Sequence, residues 1–69
     1  MDKELVVLVE EAPEGGFTAK ALGAALFTEG DTFEEVEANV RDAVLCHFEE
    51  AERPRVVRLH FVRDHVIAV

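Results

Sequence analysis

The spacing of apolar residues changes partway along this chain of 69 residues and separates predicted strands from one predicted helix. Residues 4–10 form a short apolar run rich in β-branched residues, which predicts a first strand that needs cover on both faces. Residues 12–16 contain a proline and two glycines and predict a turn. Residues 17–22 alternate apolar and polar positions and predict the second arm of a hairpin, and residues 24–28 predict a short third strand.

A helical period begins after residue 32 and continues to about Ala51 or Glu52. At 100° per residue its apolar side chains form one broad stripe, which predicts the side that packs on the sheet. Pro54 ends the predicted helix, because proline disfavours helical geometry at the residue before it, Arg53. The stripe consists of Phe33, Val36, Val40, Ala43, Val44, Phe48 and Ala51.

The start of this helix has the pattern of a capping box. Thr32 is placed to accept a hydrogen bond from the first turn, and Glu35, three residues later, is placed to reach back to the Thr32 amide. Gly30 supplies permissive backbone just before the cap. Capping and compensation of the helix dipole also account for the carboxylates of Asp31 and Glu34, so no catalytic role is needed to explain them.

The last predicted strand covers residues 55–62, with Val57, Leu59 and Phe61 on one face. Residues 63–65 interrupt the apolar pattern before a final apolar run at 66–69, and we expect a bend or bulge there, with a fifth strand as the alternative. The order β-β-β-α-β predicts a single α+β domain over residues 1–69, in which one helix packs on one face of an antiparallel sheet.

One helix leaves the other face of such a sheet uncovered, although the first and last strands are apolar on both faces. An exposed apolar face is typical of an interface. A chain this short has a marginal core, and its single cysteine excludes an internal disulfide, so we expect a homo-oligomer. The predicted oligomer or partner interface consists of Val6, Leu8, Leu45, Val56 and Val62.

The formal net charge of −8 argues against direct binding to nucleic acid, whose phosphates are met by clustered Lys and Arg. No apolar run is long enough for a signal peptide or a membrane span, so a cytoplasmic protein is expected. Depletion of Asn, Gln, Cys and Met beside plentiful Glu, Arg and Val is typical of a thermophile. Four arginines near the last strand are interpreted as solvated or as paired with an acidic helix of another subunit: Arg53, Arg55, Arg58 and Arg63.

Only one set of side chains resembles metal ligands, namely Cys46, His47, His60 and His65, and no pair in it has the close spacing of a structural zinc site. The chain contains no serine, which excludes a serine triad. We therefore expect no catalysis, no metal and no cofactor. The alternative is a small hydrolase or metal enzyme that uses Asp31, His47 or His60.

Residues 17 to 48 resemble the HicB-like antitoxin family, including its small stand-alone members from thermophiles. The resemblance lies in Phe17-Thr18-Ala19, in Gly23, and in the stretch 28–35, which reads Thr-Glu-Gly-Asp-Thr-Phe-Glu-Glu and leads into the amphipathic helix. The family's usual Pro-Gly-Cys at the second turn is here Leu22-Gly23-Ala24, so only the glycine matches.

The resemblance implies a partial ribonuclease-H-like fold without the catalytic carboxylates of that fold. It also implies a partner, since such proteins typically neutralise a small basic ribonuclease toxin of the HicA type and assemble as dimers or tetramers. Two functions follow as hypotheses: an antitoxin that acts by occlusion, and an orphan structural or ligand-binding homo-oligomer that has no toxin partner.

Overall fold

The computed structural model describes residues 4–69. The prediction that no signal peptide is present rests partly on residues 1–3, which lie outside the described range. Strand β1 spans Glu4–Glu11, β2 spans Phe17–Leu22, β3 spans Phe27–Gly30, helix α1 spans Phe33–His47, and β4 spans Val56–Val62. The predicted α+β class and the order β-β-β-α-β are confirmed.

The four strands form one sheet in the order β3-β2-β1-β4. β2 pairs antiparallel with both β1 and β3, whereas β1 pairs in parallel with β4. The sheet is therefore mixed, and not antiparallel throughout as predicted. The physical reason is the helix: α1 carries the chain back along the sheet from β3, so β4 starts at the same end as β1 and runs beside it. This crossover also makes β4 an edge strand.

Helix α1 packs on one face of the sheet, mainly over β3 and β2. The inner positions of β2 are the small residues Ala19 and Ala21, which let the helix approach closely. β1 contributes every second residue to this face, as its predicted two-sided pattern requires. The buried core consists of Leu5, Val7, Val9, Ala19, Ala21, Leu26, Val36, Val40 and Val44.

Strand β3 begins at Phe27, three residues later than predicted. Residues 23–26 instead form a tight turn, in which Gly23 has a positive φ of 91° and the Ala21 amide donates to the Leu26 carbonyl over 2.9 Å. The turn places the Leu26 side chain in the core. Burial of this leucine outweighs strand pairing of Ala24 and its neighbours, because alanine has a low strand propensity.

Helix α1 ends at His47, four or five residues before the predicted end. Phe48 takes an extended conformation, φ −107° and ψ 137°, and packs against the core, while residues 49–52 form a turn closed by the Glu52 amide and the Glu49 carbonyl. Ala51, which the predicted stripe placed against the sheet, is exposed. Two consecutive carboxylates, Glu49 and Glu50, would also be unfavourable at the negative end of a longer helix.

The helix cap forms as a variant of the predicted box. The Thr32 hydroxyl accepts a hydrogen bond from the Glu35 amide at 3.1 Å, as predicted. The Glu35 carboxylate accepts from the Asp31 amide at 2.9 Å, one residue earlier than the predicted Thr32 amide. Gly30 does not have a positive φ, contrary to the expectation of unusual backbone. Its role is spatial, because a Cβ at this position would lie 2.9 Å from the amide nitrogen of Val36.

Residues 63–69 follow β4 as an exposed segment without strand pairing. Neither the expected bulge nor the alternative fifth strand describes this segment. The reason is topological: β4 is the edge of the sheet, so no further strand of the same chain lies beside the continuation of its outer side. We call residues 63–69 the tail.

The close approach of Gly30 to the first turn of α1 predicts that Gly30→Ala lowers the free energy of unfolding by about 1–3 kcal/mol, the usual cost of overpacking. Urea unfolding at one fixed protein concentration measures it. Glu29→Ala, at the adjacent exposed position, is the control and should change stability by less than about 0.5 kcal/mol. Equal stability of Gly30→Ala and the unchanged chain would contradict the steric role.

Removal of the cap acceptor predicts a second effect. Thr32→Ala leaves the Glu35 amide without its side-chain acceptor and should destabilise the chain by about 1 kcal/mol, whereas Thr32→Ser keeps the hydroxyl and should cost only a few tenths of a kcal/mol. The same urea titration compares them. If Thr32→Ser lost as much stability as Thr32→Ala, the methyl group, and not the hydrogen bond, would be what stabilises this turn.

Candidate interaction surfaces

The face of the sheet opposite α1 is open, and we call it the open face. Strand register defines its composition, because paired residues in neighbouring strands point to the same side. Val6 of β1 pairs with Leu22 of β2 and with Arg58 of β4, and Leu8 pairs with Lys20 and His60. The ends of β4 add Val56 and Val62 to the same side, opposite Glu4 and Glu10.

Four of the five predicted interface residues therefore share this open face, namely Val6, Leu8, Val56 and Val62. Val6, Leu8 and Val62 are half-buried by their neighbours within the sheet, whereas Val56 is 49% exposed. The most exposed apolar side chains of the open face are two that were not predicted as interface residues, Leu22 at 52% and Phe27 at 63%.

Phe27 was missed because the predicted third strand started three residues too early and placed Phe27 near its end. In the structure it pairs with Lys20, which puts its ring on the open face. Leu22 was recognised as lying opposite Ala21, and that alternation was the signal that could have placed it beside Val6. The resulting patch is contiguous, since Leu22 and Val6 are direct cross-strand neighbours.

The open face carries positive and negative side chains in a balanced arrangement around its apolar centre. Lys20, Arg58 and His60 lie between the apolar residues, and Arg58 forms an ion pair with Glu4 across the β1–β4 pair. At the end of the sheet, Arg63 pairs with Glu11 at 3.2 Å. Two of the four arginines that were interpreted as solvated or as intersubunit partners of an acidic helix thus pair with β1 of their own chain.

Leu45, the fifth predicted interface residue, lies on the other side of the sheet. It is 48% exposed and lines a groove between α1 and β4, with a volume of about 350 Å³. The groove exists because α1 sits over β2 and β3, so the helix-facing side chains of β4 are only partly covered. We call it the α1–β4 groove; its apolar lining consists of Val40, Val44, Leu45, Pro54, Val57 and Leu59.

The α1–β4 groove is bordered by three arginines, Arg41, Arg53 and Arg55. Arg41 pairs loosely with Glu37, one helical turn earlier, at 3.9 Å. Among the described residues, the Nε atom of Arg53 is inaccessible to solvent and has no hydrogen-bond partner. A buried donor without an acceptor is costly, so this end of the groove favours a ligand that presents an oxygen.

The net charge of the chain lies in the segment that contains α1. Residues 29–52 contain nine carboxylates and one arginine, a formal charge of −8, whereas the six acidic and six basic residues outside this segment cancel. All nine carboxylate residues are exposed. The net charge is therefore concentrated around α1, with Glu29 at the adjacent strand β3, and the rest of the chain has no net charge. We call the nine the acidic layer: Glu29, Asp31, Glu34, Glu35, Glu37, Asp42, Glu49, Glu50 and Glu52.

The side chains that resembled metal ligands are dispersed. His47 stacks edge-on against Phe48 with ring centroids 4.8 Å apart, and His60 lies on the open face. Cys46 is exposed on α1, and His65 is exposed in the tail. Within residues 4–69, no three histidine, cysteine or carboxylate side chains are close enough to hold a metal ion.

An aromatic cluster closes the end of the core near the start of α1. The rings of Phe17, Phe33 and Phe61 lie with centroids 5.6–6.5 Å apart in tilted and edge-to-face arrangements. Such geometry is favourable for aromatic pairs. The cluster joins β2, the first residue of α1 and β4, so it fixes the helix start on the sheet.

Across residues 4–69, no helix is both long and apolar enough to cross a membrane.

Two curated proteins are similar to this chain. A protein of Thermotoga maritima called UPF0150 protein is 43% identical over 67 residues, which are 97% of this chain and 94% of the relative. A protein of Archaeoglobus fulgidus with the same name is 50% identical over 52 residues, which are 75% of this chain and 77% of the relative. No family model matches the chain, and no solved structure does.

Proposed function

This chain belongs to the UPF0150 family, and from its surface and its resemblance to HicB-like antitoxins we propose that it is a non-catalytic binding protein. Its partner is a small basic ribonuclease toxin of the HicA type, which it neutralises by covering the toxin surface. The observation that carries this proposal is the acidic layer, because residues 29–52, which contain α1, hold nine exposed carboxylates and one arginine and so account for the formal net charge of −8.

Segregation of charge supports a partner of opposite sign more strongly than net charge does. Charges added only for solubility have no reason to concentrate in one segment, yet the residues outside 29–52 carry equal numbers of acidic and basic side chains. A cluster of like charges raises the energy of the free protein and is compensated when a basic surface covers it. The acidic layer also makes direct binding to the toxin's RNA substrate unfavourable, which fits inhibition by occlusion of the enzyme.

The second candidate function is that of a homo-oligomer without a toxin, and the open face favours self-association in either case. The open face is apolar at its centre and carries both signs of charge around it. A balanced surface of this kind is compatible with a second copy of itself, whereas the acidic layer repels its own kind. We therefore propose that copies associate through the open face and leave the acidic layer for a different partner.

Charge reversal on α1 tests the toxin-binding proposal. The double variant Glu34→Lys/Asp42→Lys should weaken binding to a basic HicA-type toxin, sought in the neighbouring reading frames, at least tenfold, about 1.4 kcal/mol, and should abolish protection of RNA in a cleavage assay. Binding is measured by titration calorimetry at two salt concentrations, and the unchanged chain should bind more weakly at the higher one.

The matched control is Glu10→Lys/Glu14→Lys, which changes the net charge by the same amount on the sheet side of the molecule. It should retain most of the affinity, because these carboxylates lie outside the acidic layer. Equal losses of affinity in both double variants would show that the effect depends on net charge alone. If the unchanged chain neither binds the neighbouring basic protein nor protects RNA, the antitoxin proposal is wrong and the orphan oligomer stands.

Self-association through the open face predicts that Leu22→Glu lowers the molar mass measured by light scattering. The glutamate introduces a charge at the apolar centre, which an interface would have to desolvate. Ala38→Glu, exposed on α1, is the control and should leave the mass unchanged. An unaltered mass for Leu22→Glu, with circular dichroism showing that it folds, would exclude the open face as the oligomer interface.

A further inference from the structure

Strand β4 is an unprotected edge. It has seven residues, Val56–Val62, and contains no proline, while its outer side has no strand partner among the described residues. Long apolar edges of this kind pair readily with another strand, and monomeric proteins usually block them with charges, prolines or bulges. The opposite edge, β3, is only four residues long. The sheet is therefore open to extension mainly at β4.

The tail continues from this edge strand and is apolar and exposed. All of its residues are exposed, and Ile67 is 68% and Val66 92% accessible. The longest dimension of the molecule is 51 Å, whereas the eight residues of β1 span only about 27 Å. The difference is about the length of seven extended residues, so the dimensions fit a tail that projects beyond the sheet.

The overall size gives the same result. A compact domain of 69 residues has a radius of gyration of about 11 Å, and this chain has 13.4 Å. Its accessible surface is 5443 Å², about 1,100 Å² more than expected for a monomer of this mass. One partner contributes roughly 800 Å² to a protein interface of standard size. The excess surface is thus large enough for a stable interface between two copies.

The apolar side chains of the tail match the α1–β4 groove in position. If the two-residue period of β4 continues into the tail, Ile67 and Val69 fall on the same face as Val57 and Leu59, which line the α1–β4 groove. An antiparallel pairing of two copies about a two-fold axis at Arg63 places Ile67 of one copy opposite Leu59 of the other. It places Val69 opposite Val57 in the same way. Each Arg63 remains paired with Glu11 of its own chain.

We propose that β4 and the tail pair edge to edge with the same segment of a second copy, so that the apolar end of each tail covers the α1–β4 groove of the other. An extended segment suits this groove better than a globular surface does. It fills the apolar lining and pairs the free backbone of β4. This contact is separate from the open face and from any basic partner.

Disulfide trapping tests the proposed contact directly. One variant carries Cys46→Ser with Leu59→Cys and the other carries Cys46→Ser with Ile67→Cys, so that each chain has one cysteine. Mixed and oxidised, the two variants should form a cross-linked heterodimer in high yield, because directly opposite residues in antiparallel strands have Cβ atoms about 4.5–5.5 Å apart. Asp42→Cys in place of Leu59→Cys, at an exposed position of α1 outside both proposed self-contacts, is the control and should give only background cross-linking.

A second pair, Val57→Cys with Val69→Cys, tests the same register if Leu59→Cys does not fold. A chain with both Leu59→Cys and Ile67→Cys tests whether the tail covers the groove of its own chain instead. A cross-link between copies supports the proposal, whereas a cross-link within a single chain overturns it. Background cross-linking in both mixed pairs, with folded variants, would also overturn it.

Molar mass gives an independent readout with a neighbouring control. Ile67→Asp should lower the mass measured by light scattering, because an aspartate would enter the apolar groove. Ala68→Asp, one residue further and on the other face of the strand, should leave the mass unchanged. Equal masses for Ile67→Asp and the unchanged chain would contradict the proposal. Neither variant alters the acidic layer, so their outcome is independent of toxin binding.

Discussion

The packing of α1 against the sheet is the interaction on which the rest of the structure depends. Three valines of the helix, Val36, Val40 and Val44, join the inner residues of β1 and β2 in one buried cluster. The two alanines of β2 let the helix sit close to that strand and to β3. A single helix in this position covers only part of one face of the sheet. The open face and the helix side of β4 stay accessible and form the surface available for partners.

This division explains why charge and apolar surface are separated. The outer side of α1 faces solvent, and eight of the nine carboxylates of the acidic layer lie on α1 or on the turns beside it. β1 carries apolar residues on both faces of the sheet, since Val6 and Leu8 alternate with the core residues Val7 and Val9. Repulsion between acidic layers and attraction between apolar sheet surfaces then favour assemblies that bury the sheet and expose the helix.

Much of the fold could be predicted from local patterns. The bounds of β2, the helix start and the alternation of β1 follow from periodicity and from capping chemistry, which act within a few residues. The end of α1, the start of β3 and the parallel β1–β4 pair could not be predicted in this way. Phe48 and Leu26 leave the regular pattern because their burial in the core is worth more than the backbone pairing they give up, and that choice depends on contacts distant in the sequence.

The candidate surfaces were predictable to the same degree. Alternation along β1 and β4 identified Val6, Leu8, Val56 and Val62, which share the open face. Phe27 was misplaced with its strand. Leu45 was identified as apolar and outside the core stripe, but its place beside β4 rather than on the open face depends on where the crossover helix sits. The α1–β4 groove itself has no local signal in the sequence.

The central claim is that this chain is incomplete as a monomer, because one helix cannot cover the apolar surfaces of its sheet. Sedimentation equilibrium of the unchanged chain, over a hundredfold range of concentration in the micromolar region, tests it most directly. The account predicts a dimer or larger closed assembly with a mass that is a multiple of 7.7 kDa. A mass of one chain at every concentration would contradict it.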